Sequence, residues 1–277
     1  MDANKIERVI ELYKNGLNPY EIIYTLLVDD MRWSFSRVNS FYDGCRWCWY
    51  KTYIEKVRGE GGAFSEYGSF MHSIMEKFDK NELLPWEIVS YYEENYKDNV
   101  SEFPKLGKTD LNMIYYDQGL DYLNKYEPDP NWEVVAVEKE INTKIGQYEF
   151  IGYIDKLIRD KTDGKLIVLD YKSKNKFKSA EEQKKYARQL YLYSKDVYET
   201  YGEYPKMLMF DMFRAGIKVP IIFKQNGYEE AQEWFVNTID DIYNCREFPV
   251  TEDKFFREEL CNHRKLKEHY EGARILI

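Results

Sequence analysis

Apolar positions in the first third of the chain recur three and four residues apart, the spacing that lines one face of an α-helix. The pattern predicts helices near residues 4–15 and 19–28, then across FSRVNSFYDGCRWCWYKTYIEK, where Ser36 stands as the N-cap. Gly59, Gly61 and Gly62 interrupt it. EYGSFMHSIMEKFDK continues as a helix, and two more are expected at about 84–97 and 109–126, ahead of the turn-forming EPDPN.

From Trp132 the period changes. WEVVAVEKEIN, YEFIGYIDKLIRD and KLIVLDYKS are rich in β-branched and aromatic residues, and Gly146-Gln147 and Asp163-Gly164 between them are hairpin-type turns. These segments predict an antiparallel three-strand meander. A helix from about Ala180 to Tyr201 follows, then the strand-like KMLMFDMF and IKVPIIF, then the helix YEEAQEWFVNTIDDIYN. The order gives an α/β (α+β) class, a sheet flanked by helices with a large helical lead-in. With no convincing linker, one domain is expected: a helical part over about 1–130, a core over about 131–225 and a helical C-terminal part over about 226–277.

Composition narrows the function. The chain is 44% hydrophobic, so it can bury a core, but no apolar run approaches the roughly 18 residues of a membrane span. Its start, MDANKIERVI, reads as a charged amphipathic helix rather than a signal peptide, so a cytoplasmic protein without a membrane partner is expected. A net charge of -9 argues against a surface that coats DNA throughout, which confines any nucleic-acid contact to a local patch. The four cysteines are too few and too scattered for a secreted disulfide framework.

The chemistry gathers on the meander. Asp170 and Lys172 are two residues apart on one strand, so their side chains leave the same face, and the apolar run before them marks a buried strand. Asp155 ends the preceding strand, where hairpin pairing could bring its carboxylate beside that of Asp170. Two converging carboxylates repel unless a cation lies between them, and hard oxygen ligands suit Mg2+ or Mn2+. Lys172 beside such an ion can orient a water and stabilise charge on a phosphorane, which is phosphodiester hydrolysis. Either aspartate alone reads more simply as a strand terminus.

In order, GSFMH with Gly68 and His72, GYID with Asp155, DYK at Asp170 to Lys172, and QLYLY with Gln189 and Tyr193 resemble the GxxxH, GxxD, (D/E)xK and QxxxY elements of the RecB-like PD-(D/E)XK nucleases. SRVNSFYDGCRWCWYKTYI resembles the family's Ser-led opening. The resemblance implies a restriction-endonuclease-like core with a central mixed sheet, nuclease activity on DNA and dependence on a divalent metal. It makes His72, Asp155 and Asp170 the expected metal ligands, with the Tyr171 carbonyl as a fourth, and Asp155, Asp170, Lys172 and Glu138 the catalytic set. The imidazole of His72 motivates an expected preference for Mn2+. Glu138 stands where the family carries a strand glutamate, although Glu140 shares its face, and an exposed strand carboxylate is an even alternative.

Gln189 and Tyr193 share a helix face and can turn toward the sheet. The resemblance implies that they support the active site and contact substrate, an ordinary apolar stripe of Tyr186, Leu190, Tyr193 and Val197 being the alternative. Lys174, Lys176 and Arg188 are expected to contact substrate too. These three lie among seven basic residues opposed by two acids between Lys172 and Arg188, a charge that would draw phosphates in. A solvated Lys/Glu face is the plainer reading of Lys184 and Lys185. The cysteines depart from the relatives that carry an iron-sulfur cluster with three late thiolates, since only Cys261 sits in the late region. Free buried thiols are expected. A cluster on Cys45, Cys48, Cys245 and Cys261, or a tetrahedral Zn2+ on Cys45, Cys48, Cys261 and His263, is the alternative.

Taken together, the sequence predicts a metal-dependent exonuclease acting on DNA ends or single strands in recombination, repair or phage-related processing. Without a GxxxxGK[ST] loop, unwinding would fall to a helicase or recombination partner. The competing functions are a catalytically inactive nucleic-acid-binding or assembly subunit and a restriction-type endonuclease.

Overall fold

A computed structural model of the protein describes residues 3–277. They form two compact units, one made of residues 61–234 and the other of residues up to 60 together with 235–277. Among the described residues no helix is long and apolar enough to cross a membrane.

The discontinuous unit opens with α1 (Ala3–Lys14) and α2 (Pro19–Asp29). Asn18 and Glu21 close a capping box around the start of α2, with Pro19 at its first position. The long helical segment expected next is two helices, α3 (Phe35–Tyr42) and α4 (Arg46–Tyr53). Ser34, not Ser36, caps the first, its Oγ accepting the Arg37 amide at 3.2 Å. The break comes at Gly44, where a Cβ would meet the Ser40 carbonyl oxygen at 2.3 Å, so only glycine lets the chain fold back so tightly.

In the other unit α5 (Ala63–Asp79), α6 (Ile88–Asn99) and α7 (Leu111–Lys125) precede the sheet. Strands β1 (Trp132–Ile145), β2 (Tyr148–Asp160) and β3 (Leu166–Lys172) form the expected antiparallel meander. Gly146, at a φ of 59°, supplies the left-handed residue of the two-residue turn between Ile145 and Tyr148. The crossover helix α8 (Ala180–Tyr201) then sets β4 (Met207–Met212) parallel to β3, and β5 (Ile217–Ile222) closes a five-stranded mixed sheet in chain order. Pro220, which cannot donate to a ladder, lies on this edge strand.

Alternation on β3 separates two layers. Ile167, Leu169 and Tyr171 join the core of α5, α6 and α7, whereas Lys172, on the other face, reaches Gln189 of α8. Helix α9 (Gln225–Asn244) leads back into the discontinuous unit. There the chain departs from the helical ending expected over 226–277. β6 (Glu247–Pro249) pairs antiparallel with β7 (Arg274–Leu276), with a π-helical turn at Phe256–Leu260 between them. Strands of three residues carry too little alternation to be read from sequence. Around them Trp49 stacks on Phe248 with ring centroids 6.2 Å apart, and the Tyr24 hydroxyl donates to the Ile242 carbonyl at 2.6 Å.

A polar network runs through the core beneath the sheet. The Lys156 ammonium donates to Asp79 Oδ1 at 2.6 Å, and the Tyr171 hydroxyl donates to Asp79 Oδ2 at 3.1 Å. The Lys156 and Asp79 side chains are only 5% and 2% exposed, so neither charge can fall back on water. Losing either partner strands the other. We expect Asp79→Asn and Lys156→Met each to cost about 3–5 kcal/mol and the double variant clearly less than their sum, as measured by urea unfolding.

Asp211, at the register position beside Tyr171, has its carboxyl pushed up to about 6 by burial, against the opposing pull of Lys218. Between about pH 4 and pH 6 the folded chain therefore keeps a proton that the unfolded chain has released, so this group's contribution falls as pH rises. Asp211→Asn should flatten that part of a stability-against-pH curve.

Candidate active site

Three carboxylates occupy one row of the sheet. Val137 pairs with Lys156 and Lys139 with Ile154, which sets Glu138 opposite Asp155. The last rung of the β2–β3 ladder joins Lys156 to Leu169, and the next step of the same register sets Asp155 against Asp170. The ladder stops there, and the Tyr171 amide donates instead to Asp155 Oδ2 at 2.8 Å. Glu138 has a φ of 49°, a left-handed backbone uncommon for any residue but glycine and of the kind found at sites where side-chain placement overrides local comfort.

The row is electrostatically strained. Burial, and then the charge of Asp170, hold the Asp155 carboxyl well above the usual carboxylate range, and Glu138 adds to the shift. Glu138 itself is raised by burial and by Glu76. On α5, His72 brings Nδ1 to 3.4 Å from Asp155 Oδ2, and burial lowers its pKa, so the imidazole is neutral near pH 7 with a lone pair to offer. One donor atom each from His72, Glu138 and Asp155 lies within 4.8 Å of the other two.

These three residues line a cleft of about 380 Å³ with Gly68, Ser69, Ser73 and Glu76. Glu76 was not singled out from the sequence. Its signal was present, since it follows His72 by one helical turn and shares its face. Gly68 is less demanding than its spacing suggests: a Cβ there would meet Ser173 Oγ at 3.5 Å, an ordinary contact, so close approach of α5 does not require glycine.

Asp170 stands outside the trio. Its Oδ2 lies 2.7 Å from the Lys172 ammonium, an ion pair rather than an aligned hydrogen bond. Lys172 also donates to Gln189 Oε1 at 3.0 Å, and Gln189 Nε2 donates to the Tyr193 hydroxyl at 3.0 Å. Gln189 and Tyr193, expected to touch substrate, thus form a chain of hydrogen bonds that holds the lysine. Of the basic residues, Lys174 pairs with Glu182 at 2.9 Å, Lys184 pairs with Glu230, and the Arg188 guanidinium lies 4.6 Å from the Trp234 ring centre. Lys176 is exposed.

Gly152, the glycine of GYID, lies under the Tyr193 ring. A Cβ would come within 2.9 Å of Tyr193 Cε1 and 3.2 Å of its oxygen. Tyr193 is buried and cannot swing away cheaply. Gly152→Ala should therefore cost about 1–3 kcal/mol by overpacking. The penalty should vanish in a Tyr193→Ala background, as read from urea unfolding midpoints of the four proteins.

A second gathering of donor atoms lies in the discontinuous unit. Cys48 Sγ is 2.7 Å from Cys261 Sγ and 3.3 Å from His269 Nε2, and Cys45 Sγ is 4.0 Å from the same nitrogen. All four cysteines are free thiols. His263, the histidine expected to complete such a set, turns its Nε2 to Thr52 Oγ1 at 2.8 Å, and His269 takes the place instead. Cys245 is apart, donating to the Glu247 carbonyl at 3.2 Å.

None of the curated proteins compared with the chain matches it. Among solved structures, a Eubacterium rectale protein named "Putative exonuclease" shares the fold, with a TM-score of 0.50 over 77% of this chain and 81% of that one at 13% sequence identity. The family profile described as the PD-(D/E)XK nuclease superfamily matches residues 32–265, which takes in the carboxylate row, His72 and the Lys172 chain. On that match the chain belongs to the PD-(D/E)XK nuclease superfamily.

Proposed function

We propose that this nuclease is a metal-dependent deoxyribonuclease of the RecB-like branch, an exonuclease acting at DNA ends. The observation that carries the reading is the convergence of His72, Glu138 and Asp155 on one point beside Lys172. An imidazole nitrogen and two carboxylates suit a divalent ion such as Mn2+ or Mg2+. Burial, then the charge of Asp170, raises Asp155, and burial, then Glu76, raises Glu138, and a cation would offset both. When bound, such an ion acts as a Lewis acid and lowers the pKa of a coordinated water.

The chain's own groups supply the rest. Lys172, held between Asp170 and Gln189, keeps its ammonium at the end of the carboxylate row, where it can donate to the attacking water and to a phosphoryl oxygen that gains charge as the P–O bond breaks. The Tyr171 amide orients Asp155, and the Gln189–Tyr193 chain keeps Lys172 from turning away. Exposed Lys176 is a candidate phosphate contact. A helicase or recombination partner would supply ends. The motif order from GSFMH through QLYLY supports the RecB-like assignment.

The test uses end-labelled linear single-stranded and duplex DNA and a closed circle, each with Mn2+, Mg2+ or EDTA. We expect linear DNA to be degraded with either ion and not with EDTA. Asp155→Ala should abolish this, and Lys172→Ala should slow it by about 10²–10³-fold. Cutting of the circle would replace the exonuclease reading with an endonuclease. DNA binding without cleavage under either ion would sink the enzymatic reading in favour of a binding subunit.

A further inference from the structure

Cys45 and Cys48 flank the first turn of α4. Cys45 caps that helix, its Sγ accepting the Cys48 amide at 3.4 Å. Cys261 follows the π-helical turn directly, and its Sγ accepts the His263 amide at 3.3 Å. Amide-to-sulfur bonds of this kind favour a thiolate and fix its direction. His269, in the loop beyond, sends Nε2 into the same space from the far side. Cys45, Cys261 and His269 are all buried, and the Trp47 ring lies against His269 with centroids 5.2 Å apart. Trp47, Val250, Ala273, Phe256 and Leu266 form the apolar surround.

A buried cluster of three thiols and an imidazole needs a reason, because an apolar pocket of that size would be filled more stably by aliphatic groups. The Cys48 and Cys261 sulfurs approach closer than two thiols normally rest, yet stand well beyond the roughly 2.05 Å of a disulfide. We propose that Cys45, Cys48, Cys261 and His269 hold one Zn2+ ion in a closed structural site.

Tetrahedral zinc with bonds of about 2.3 Å to sulfur and 2.0–2.1 Å to nitrogen sets its donors about 3.4–3.8 Å apart. The Cys48–His269 and Cys45–His269 separations already lie near that range, and Cys45, Cys48 and His269 offer donor atoms within 4.8 Å of one another. Cys261, 2.7 Å from Cys48 but outside that group of three, must draw back from Cys48 and turn toward the other donors to take the fourth corner. Cys45, Cys48 and His269 converge on one point, which suits a single ion rather than a multi-iron cluster that takes a separate ligand at each iron. Cys245, the one remaining thiol, is engaged with the Glu247 carbonyl. The ion would join α4 to a segment 213 residues later, a long-range clip that restricts the unfolded chain.

The experiment is elemental analysis of the full-length protein purified without chelator, together with cobalt substitution of the wild type. We expect about one zinc per chain, a thiolate-to-cobalt charge-transfer band on replacement, and a lower melting temperature with chelator. Asp155→Ala and His263→Ala should keep the zinc, whereas Cys48→Ser and His269→Ala should lose it. The cobalt spectrum needs no variant, so misfolding of the cysteine or histidine proteins leaves the test intact. Any of four results would overturn the proposal: protein that binds neither zinc nor cobalt, iron with acid-labile sulfide, a Cys48–Cys261 disulfide in metal-free protein, or zinc that leaves with His263→Ala and stays with His269→Ala.

Discussion

Much of the active-site unit depends on one ion pair buried almost completely, Lys156 against Asp79, with the Tyr171 hydroxyl completing the carboxylate's bonds. Lys156 follows Asp155 in the chain, and Tyr171 lies between Asp170 and Lys172, so the pair anchors both strands next to the clustered carboxylates. Asp79 is also seven residues from His72, two turns along α5. The contact that fixes the height of this helix over the sheet therefore fixes where the imidazole can reach. Charges in so dry a place stabilise poorly compared with hydrocarbon, but they tolerate only one arrangement.

The face that carries the carboxylate row inverts that logic. Glu138, Asp155 and Asp170 lie in a row with too little positive charge nearby, and the backbone bends for them: the β2–β3 ladder ends before Asp170 and Glu138 takes a left-handed conformation. One layer uses its charges for rigidity, while the other holds like charges close together at the wall of a cleft. A nuclease needs both, since a site that repels itself must be held by surroundings that do not yield.

The sheet was legible in the sequence because its strands are long, rich in β-branched residues and separated by glycine turns. Helix α8 lies where a helix from about Ala180 to Tyr201 was expected, with Ser179 capping its start and Gly202 closing its end. The ordered motifs placed His72, Asp155, Asp170 and Lys172 in one neighbourhood. The support role of Gln189 and Tyr193 came from the resemblance, because four-residue spacing shows that two side chains share a face, not whether they meet a ligand or each other. Ser36 was taken for Ser34 because both precede an apolar run and only the backbone tells which amide is left open. The thiol cluster was half legible. Cys45, Cys48, Cys261 and His263 stood only as an alternative to free buried thiols, and His269 was not singled out, because which histidine reaches the thiols depends on a loop whose path no local pattern encodes.

The discontinuous unit bears on how the chain is made. Residues up to 60 form one compact unit with residues 235–277, while the five-stranded sheet lies between them in the chain. At about 5–20 residues per second, a ribosome leaves α1 to α4 waiting on the order of 10–35 s for the strand and helix that complete their core. The central unit can settle during that interval, so synthesis runs from an unfinished beginning, through a finished middle, to an end that completes the beginning. The aromatic faces of Trp49 and Tyr24, buried in the mature protein, are then the surfaces that a growing chain exposes longest.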